Sequence, residues 1–157
     1  MKSKAEFAEF SELIGMDPQK TYMGGGYKRE DIRIHDIVIE GDIIRALCDI
    51  KNDYSDTKYF HLTQPAAYSC SSQLLVSFYA YSRNIGRQAR GFHIFLSNYS
   101  TEWNNVIKAP KNIPVEVKEV SADKKRRSEI VKYNVNFAKN SLIATYTVIF
   151  RIPTQKK

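Results

Sequence analysis

"YFHLTQPAAYSCSSQLLVSFYAYSR", Tyr59 to Arg83, is the stretch on which the reading of this chain turns. From Tyr59 to Ser82 it holds no Asp, Glu, Lys or Arg, although 26% of the chain is charged. Pro65 suits a first helical turn, where its missing N–H costs nothing, and Ala66 and Ala67 are strong helix formers. Cys70, Leu74, Ser77, Phe78 and Tyr81 recur on one helical stripe, which Leu75, Val76 and Tyr79 widen. A helix with no charge on any face is buried nearly all round. The spacing therefore predicts a central helix over about 66–84, closed by Asn84 and Gly86.

Working outward, "SKAEFAEFSELIG" predicts an amphipathic helix over about 3–15. Ser3 and Glu6 stand at capping-box spacing, Phe7, Phe10, Leu13 and Ile14 share a face, and Gly15 and Pro18 end it. The glycines at 24–26 lack the preceding strand and the following Lys-Ser/Thr of a phosphate loop, so they read as a turn. "EDIRIHDIVIEGDIIRALCDIK" predicts two strands joined at Glu40-Gly41-Asp42, with a bulge at His35-Asp36 that returns Ile37 and Ile39 to the face of Ile32 and Ile34. Beyond the helix, "ARGFHIFLSNY", "IPVEVKEVSAD", "SEIVKYNVNF" and "SLIATYTVIFRIP" predict four more strands, with "STEWNNVIKAPKN" a loop. In the last pair Val131, Tyr133, Val135 and Phe137 share a face, as do Leu142, Ala144, Tyr146, Val148 and Phe150. The layout is α+β, a curved antiparallel sheet wrapped around one long central helix.

At 157 residues the chain is read as a single domain, 1–157, large enough to bury a core without staples. Cys48 and Cys70 form neither a metal-ligand pattern nor a disulfide framework, so the expectation is no metal and a reducing cytoplasm. "MKSKAEFAEFSELIG" lacks the apolar core of a signal peptide, and Ser69, Ser71, Ser72, Gln73 and Ser77 break up the uncharged segment, so no membrane insertion is expected. The net charge of +7 favours an anionic partner.

"KYFHLTQPAAYSCSSQLLVSFYAYSR" resembles the core of hotdog-fold thioester enzymes, nearest the type III long-chain acyl-CoA thioesterases, with an echo of the hydroxyacyl-carrier-protein dehydratases. In the former an Ala-Tyr-Ile-Arg-Ser-Thr segment precedes the helix, where this chain has "KYFHLT", and an N-terminal helix is followed by a tyrosine, here Tyr22. The resemblance implies a homodimer or dimer of dimers whose site forms between subunits. The implied partner is an acyl-CoA or an acyl carrier protein, with CoA or phosphopantetheine present only as part of the substrate and no separate cofactor. Against the dehydratases, "HLTQP" matches a His-Phe-x-x-x-Pro start and would make His61 the catalytic histidine. The acid those enzymes carry on the helix falls at Ser69, and the helix has no carboxylate. The amide that the thioesterases place near the helix start falls close to Cys70.

Thioester hydrolysis needs a polarised carbonyl and a positioned water. The first turn of a buried helix offers unpaired N–H groups and the positive end of the dipole in a dry setting. The carbonyl is expected near Tyr68–Cys70, with His61 holding or deprotonating water and Tyr59 and Tyr22 hydrogen-bonding carbonyl or water. Small serines would leave room for an acyl chain, and Gln73 would reach a substrate oxygen or a partner helix. Arg83, Arg87 and Arg90, near the helix exit, suit the cofactor's phosphates. Each has a structural alternative: His61 as a loop residue, Cys70 as a small buried hydrophobe, Ser69 outside any Gly-x-Ser-x-Gly elbow, His35 and His93 as strand residues, the arginines as solvated surface. The leading function is therefore an acyl-thioester hydrolase. The alternatives are a 3-hydroxyacyl-thioester dehydratase and a non-catalytic acyl-binding module. Nucleic acid is disfavoured, since "GFHIF" lacks the glycines and the alternation of an RNA-stacking strand.

Overall fold

A computed structural model describes residues 31–51, 59–85 and 93–151. The predicted helix over 3–15 lies outside these residues, as do Tyr22, Arg87 and Arg90. Six strands and one helix follow in the order β1 (Ile32–Glu40), β2 (Ile43–Ile50), α1 (Gln64–Ser82), β3 (His93–Trp103), β4 (Ile113–Lys124), β5 (Ser128–Phe137) and β6 (Leu142–Arg151). They form a single antiparallel sheet ordered β1-β2-β4-β5-β6-β3.

The β1 bulge falls at Asp36-Ile37, one residue beyond the expected His35-Asp36. Pairing steps from His35↔Leu47 to Val38↔Arg45, so Asp36 and Ile37 face one residue of β2. Asp36 takes φ 53, a left-handed conformation that Asp tolerates better than most residues. The extra residue swaps the inward parity, and Ile32, Ile34, Ile37 and Ile39 all reach the core. Gly41, φ 60, opens the two-residue link to β2, the position where a hairpin turn demands glycine.

The chain leaves β2, runs through α1 and enters the sheet again at its far edge as β3, before crossing back to β4 beside β2. That crossover lays α1 over the middle of the sheet, where it is flanked by β1, β2 and β4 and stacked upon by β5 and β6. Tyr79 lies flat on Phe150, with ring centroids 3.6 Å apart and planes 3° apart. Every residue from Ala66 to Ala80 except Tyr68 is buried.

Its serines reveal how a polar helix survives there. Ser71, Ser77 and Ser82 each donate to the carbonyl four residues back, all at 2.7 Å, and Ser72 donates to Ser69 O at 3.1 Å. A buried hydroxyl costs about 1–3 kcal/mol if left unmade, and the helix's own carbonyls absorb that demand locally. The hydroxyls' hydrogen-bonding demand is thus met inside the helix.

Two boundaries differ from expectation. The helix spans Gln64–Ser82 rather than 66–84, because Pro65 sits inside the first turn instead of introducing it. At the other end Arg83 is the cap residue and Asn84, φ 49, turns left-handed; Ile85 N–H bonds Ala80 O at 3.1 Å and Asn84 N–H bonds Tyr81 O at 3.1 Å, a Schellman closure. Second, Ser100 to Trp103 belong to β3 and not to a loop, since β6 pairs with them as far as Trp103↔Leu142. A tertiary partner supplies order that local propensity does not. No helix among the described residues is long and apolar enough to cross a membrane.

Leu74 is wholly enclosed between helix and sheet. Leu74→Ala should cost about 2–5 kcal/mol in urea unfolding followed by circular dichroism, with the unfolding slope unchanged.

Candidate active site at the start of the central helix

The loop before α1 is fastened to the segment after β3. Leu62 N–H donates to Ile107 O at 2.9 Å, and both side chains are buried. The facing segment is held in turn by the β5–β6 turn: Asn104 and Asn105 N–H both reach Ser141 O, at 2.9 and 3.1 Å, and Asn104 Nδ2 donates to Asn140 O at 2.9 Å. Between these two pinned segments lies a cleft of about 470 Å³, walled on one side by His61 to Gln64 and on the other by Trp103 to Val106.

The chemistry of this cleft is that of neutral polar groups beside apolar surface. Among the described residues its lining carries the imidazole of His61 and the amides of Gln64, Asn104 and Asn105, and neither a carboxylate nor a Lys or Arg. Trp103 and Val106, both solvent-exposed, supply a hydrophobic wall. Thr63 is extended (φ −91, ψ 157) and its hydroxyl makes no capping bond; the first helical bond runs from Ala67 N–H to Thr63 O at 3.0 Å. Pro65 has no N–H to give, and the first turn holds no acidic residue to neutralise the dipole. The positive end of the helix, where Gln64 and Pro65 are exposed, thus borders the cleft.

The other predicted site residues are spread more widely. Tyr59 is 84% exposed and Tyr68 is half-buried, packed edge-on to Tyr99 with centroids 5.3 Å apart; neither lines the cleft. Ser69, Cys70 and Gln73 are buried inside the helix–sheet interface. Gln73 Nε2 donates to Ser69 Oγ at 3.3 Å, and Cys70 faces the sulfur of Cys48. Of the catalytic and substrate-binding candidates on described residues, only His61 stands in the cleft. Trp103, Asn104, Asn105 and Val106 were missed because they read as loop; the chain's single Trp beside two adjacent amides was the available signal. Of the remaining histidines, His35 is buried with Nε2 3.3 Å from Asp49 Oδ1, and His93 stacks on Phe95.

Arg83 closes the opposite end of α1 and is committed internally. Its guanidinium grips Glu119 through two 2.8 Å bonds and meets Glu129 at 2.8 and 3.3 Å, while Tyr79 Oη donates to Glu129 at 2.8 Å. Two carboxylates already surround one cation, so its fork has no free face for a phosphate. Burial would raise the Glu129 carboxyl, but the bonds from Arg83 and Tyr79 outweigh it and hold the group below its ordinary value. Burial, then the Glu129 carboxylate, push the Tyr79 phenol up. Nineteen residues of helix at about 1.5 Å each put this cluster roughly 28 Å from the cleft, out of reach of His61 within one chain.

The sheet order, the enclosed helix and the cleft at its beginning define a hotdog-fold domain. No family model matches the chain, and no curated protein matches it. Solved structures do. A mutant thioesterase from Pseudomonas aeruginosa is 11% identical, with a TM-score of 0.51 over 78% of this chain and 82% of its own. A hypothetical thioesterase from Streptococcus pneumoniae, solved with coenzyme A, is 14% identical, with a TM-score of 0.50 over 78% and 88%. A Streptococcus mutans protein bound to acetyl-CoA is 15% identical, with a TM-score of 0.51 over 87% and 100%. At these identities the likeness is one of fold.

Because Glu129 is more acidic folded than unfolded, its pairing adds stability above about pH 4.3, where an unfolded Glu ionises, and that stability is lost as pH falls through the lower folded value. Glu129→Gln should therefore flatten the acid limb of the stability–pH curve. Arg83→Ala, which strands two carboxylates, should cost about 2–4 kcal/mol at pH 7 in denaturant titration.

Proposed function

We propose that this protein is an acyl-thioester hydrolase, and the observation that carries the reading is His61 in an uncharged cleft at the beginning of a buried helix. In this proposal a thioester carbonyl sits against the α1 N-terminus, with the amides of Gln64, Asn104 and Asn105 available to hold it. His61 takes a proton from water, the hydroxide adds to the carbonyl carbon, and collapse of the oxyanion expels the thiol, which regains the proton from the imidazolium. Trp103 and Val106 offer apolar cover to the first carbons of the acyl group. Ser69 and Cys70, enclosed in the core, are not assigned a nucleophilic step.

The solved structures with coenzyme A and acetyl-CoA support CoA, or the pantetheine of a carrier protein, as the thiol portion. Arg87 and Arg90 remain the proposed phosphate partners, and Tyr22, Tyr59 and Tyr68 the proposed substrate contacts. The likeness of "KYFHLTQP" to the type III thioesterases extends the proposal to long acyl chains, acting in the cytoplasm. A homodimer is part of it: among the described residues β3 is an edge strand of eleven residues, which a second copy could extend.

A panel of acyl-CoAs and acylated carrier proteins of graded chain length tests this. Hydrolysis with release of free thiol is expected, and His61→Ala should lower kcat/KM by about 10²–10⁴ while leaving the circular dichroism spectrum unchanged. Turnover on none of them, or turnover indifferent to His61, defeats the proposal. Sedimentation equilibrium should return twice the chain mass.

A further inference from the structure

We propose that Cys48 and Cys70 are two halves of a disulfide that staples α1 to β2. They are the only cysteines in the chain, they lie 22 residues apart on different elements, and they meet in the core with Sγ atoms 2.9 Å apart. Both are 1% exposed or less. A disulfide of about 2.05 Å needs less than about 1 Å of further approach between the sulfurs. No group of three metal-ligating side chains surrounds them among the described residues, so the chemistry each sulfur has at hand is the other. The ring they close contains Tyr59 and His61, so the bond shortens the leash on the loop that forms the cleft's wall. The inference stands on core geometry and does not depend on the proposed hydrolysis.

The oxidant is a small-molecule disulfide such as oxidised glutathione. One cysteine, as thiolate, attacks it and releases one glutathione thiol; the second cysteine attacks the mixed disulfide and releases another. Two protein S–H bonds and one external S–S bond are exchanged for one protein S–S bond and two external S–H bonds. Burial, then the neighbouring Cys70, push the Cys48 thiol up, and with both sulfurs 1% exposed or less an external disulfide cannot reach either in the folded state. The bond therefore forms before the sheet closes over the helix, or during an opening. For the same reason a reductant cannot reach it afterwards, and it outlasts a reducing medium until the chain unfolds.

The test refolds the reduced full-length chain from guanidinium in a glutathione redox buffer. The expected product has lost the mass of two hydrogen atoms, shows no reactive thiol when denatured, and yields a non-reduced peptide joining the Cys48 and Cys70 segments. It should melt roughly 5–10 °C above the reduced chain. The Cys48→Ala chain should keep one reactive thiol and gain nothing. Folded reduced protein should oxidise at a rate that levels off with oxidant concentration, since opening limits it. Two reactive thiols after refolding, glutathione attached to each cysteine, or a disulfide between two chains would each overturn the proposal.

Discussion

The enclosure of α1 is the constraint from which the other features follow. A nineteen-residue helix without charge can be surrounded only if every polar side chain on it finds a partner without leaving the helix–sheet interface. The serines solve this by bonding back to their own helix, and Gln73 by bonding Ser69. The aromatic residues then do the packing, with Tyr79 on Phe150 and Phe78 near Tyr133. The curvature of the sheet, the crossover from one edge to the other, and the bulge in β1 are all means of bringing apolar faces around that one rod.

Enclosing a rod leaves two ends, and they are treated oppositely. The far end is charged and closed: Arg83, Glu119, Glu129 and Tyr79 bind helix, β4 and β5 together in one cluster. The near end is neutral and open, with Thr63 making no side-chain cap and a cleft before the first turn. Positioned charge secures the helix at one end, while the other carries neither a side-chain cap nor an acidic residue in its first turn. The loop carrying His61 is itself tied to the facing segment by the Leu62–Ile107 backbone bond and by the burial of both side chains.

Much of the fold was legible residue by residue. A bulge in β1 to within one residue, the glycine turn, the inward rows of β5 and β6 and the left-handed Asn84 follow from patterns that are local in sequence. The site was legible only in part. His61 stood out as a candidate because it precedes a proline and a helix start, while Asn104 and Asn105, which line the same cleft, lie across a pairing that no local pattern encodes. Arg83 was misjudged for the same reason: an arginine past a helix looks like a free cation until Glu119 and Glu129 come to it from strands more than thirty residues away.

What the sequence by itself determined is the periodicity: which residues turn inward, where the charge-free rod begins and ends, and that strands must cover it. These follow from side-chain geometry repeating every 2 or 3.6 residues, which is fixed by covalent structure. What only the tertiary structure decided is which distant residues meet, namely His61 with the Trp103–Val106 segment, Arg83 with its carboxylates, and Cys48 with Cys70. Those encounters depend on strand order and register, and register is set by the summed burial of whole faces and not by any stretch read alone.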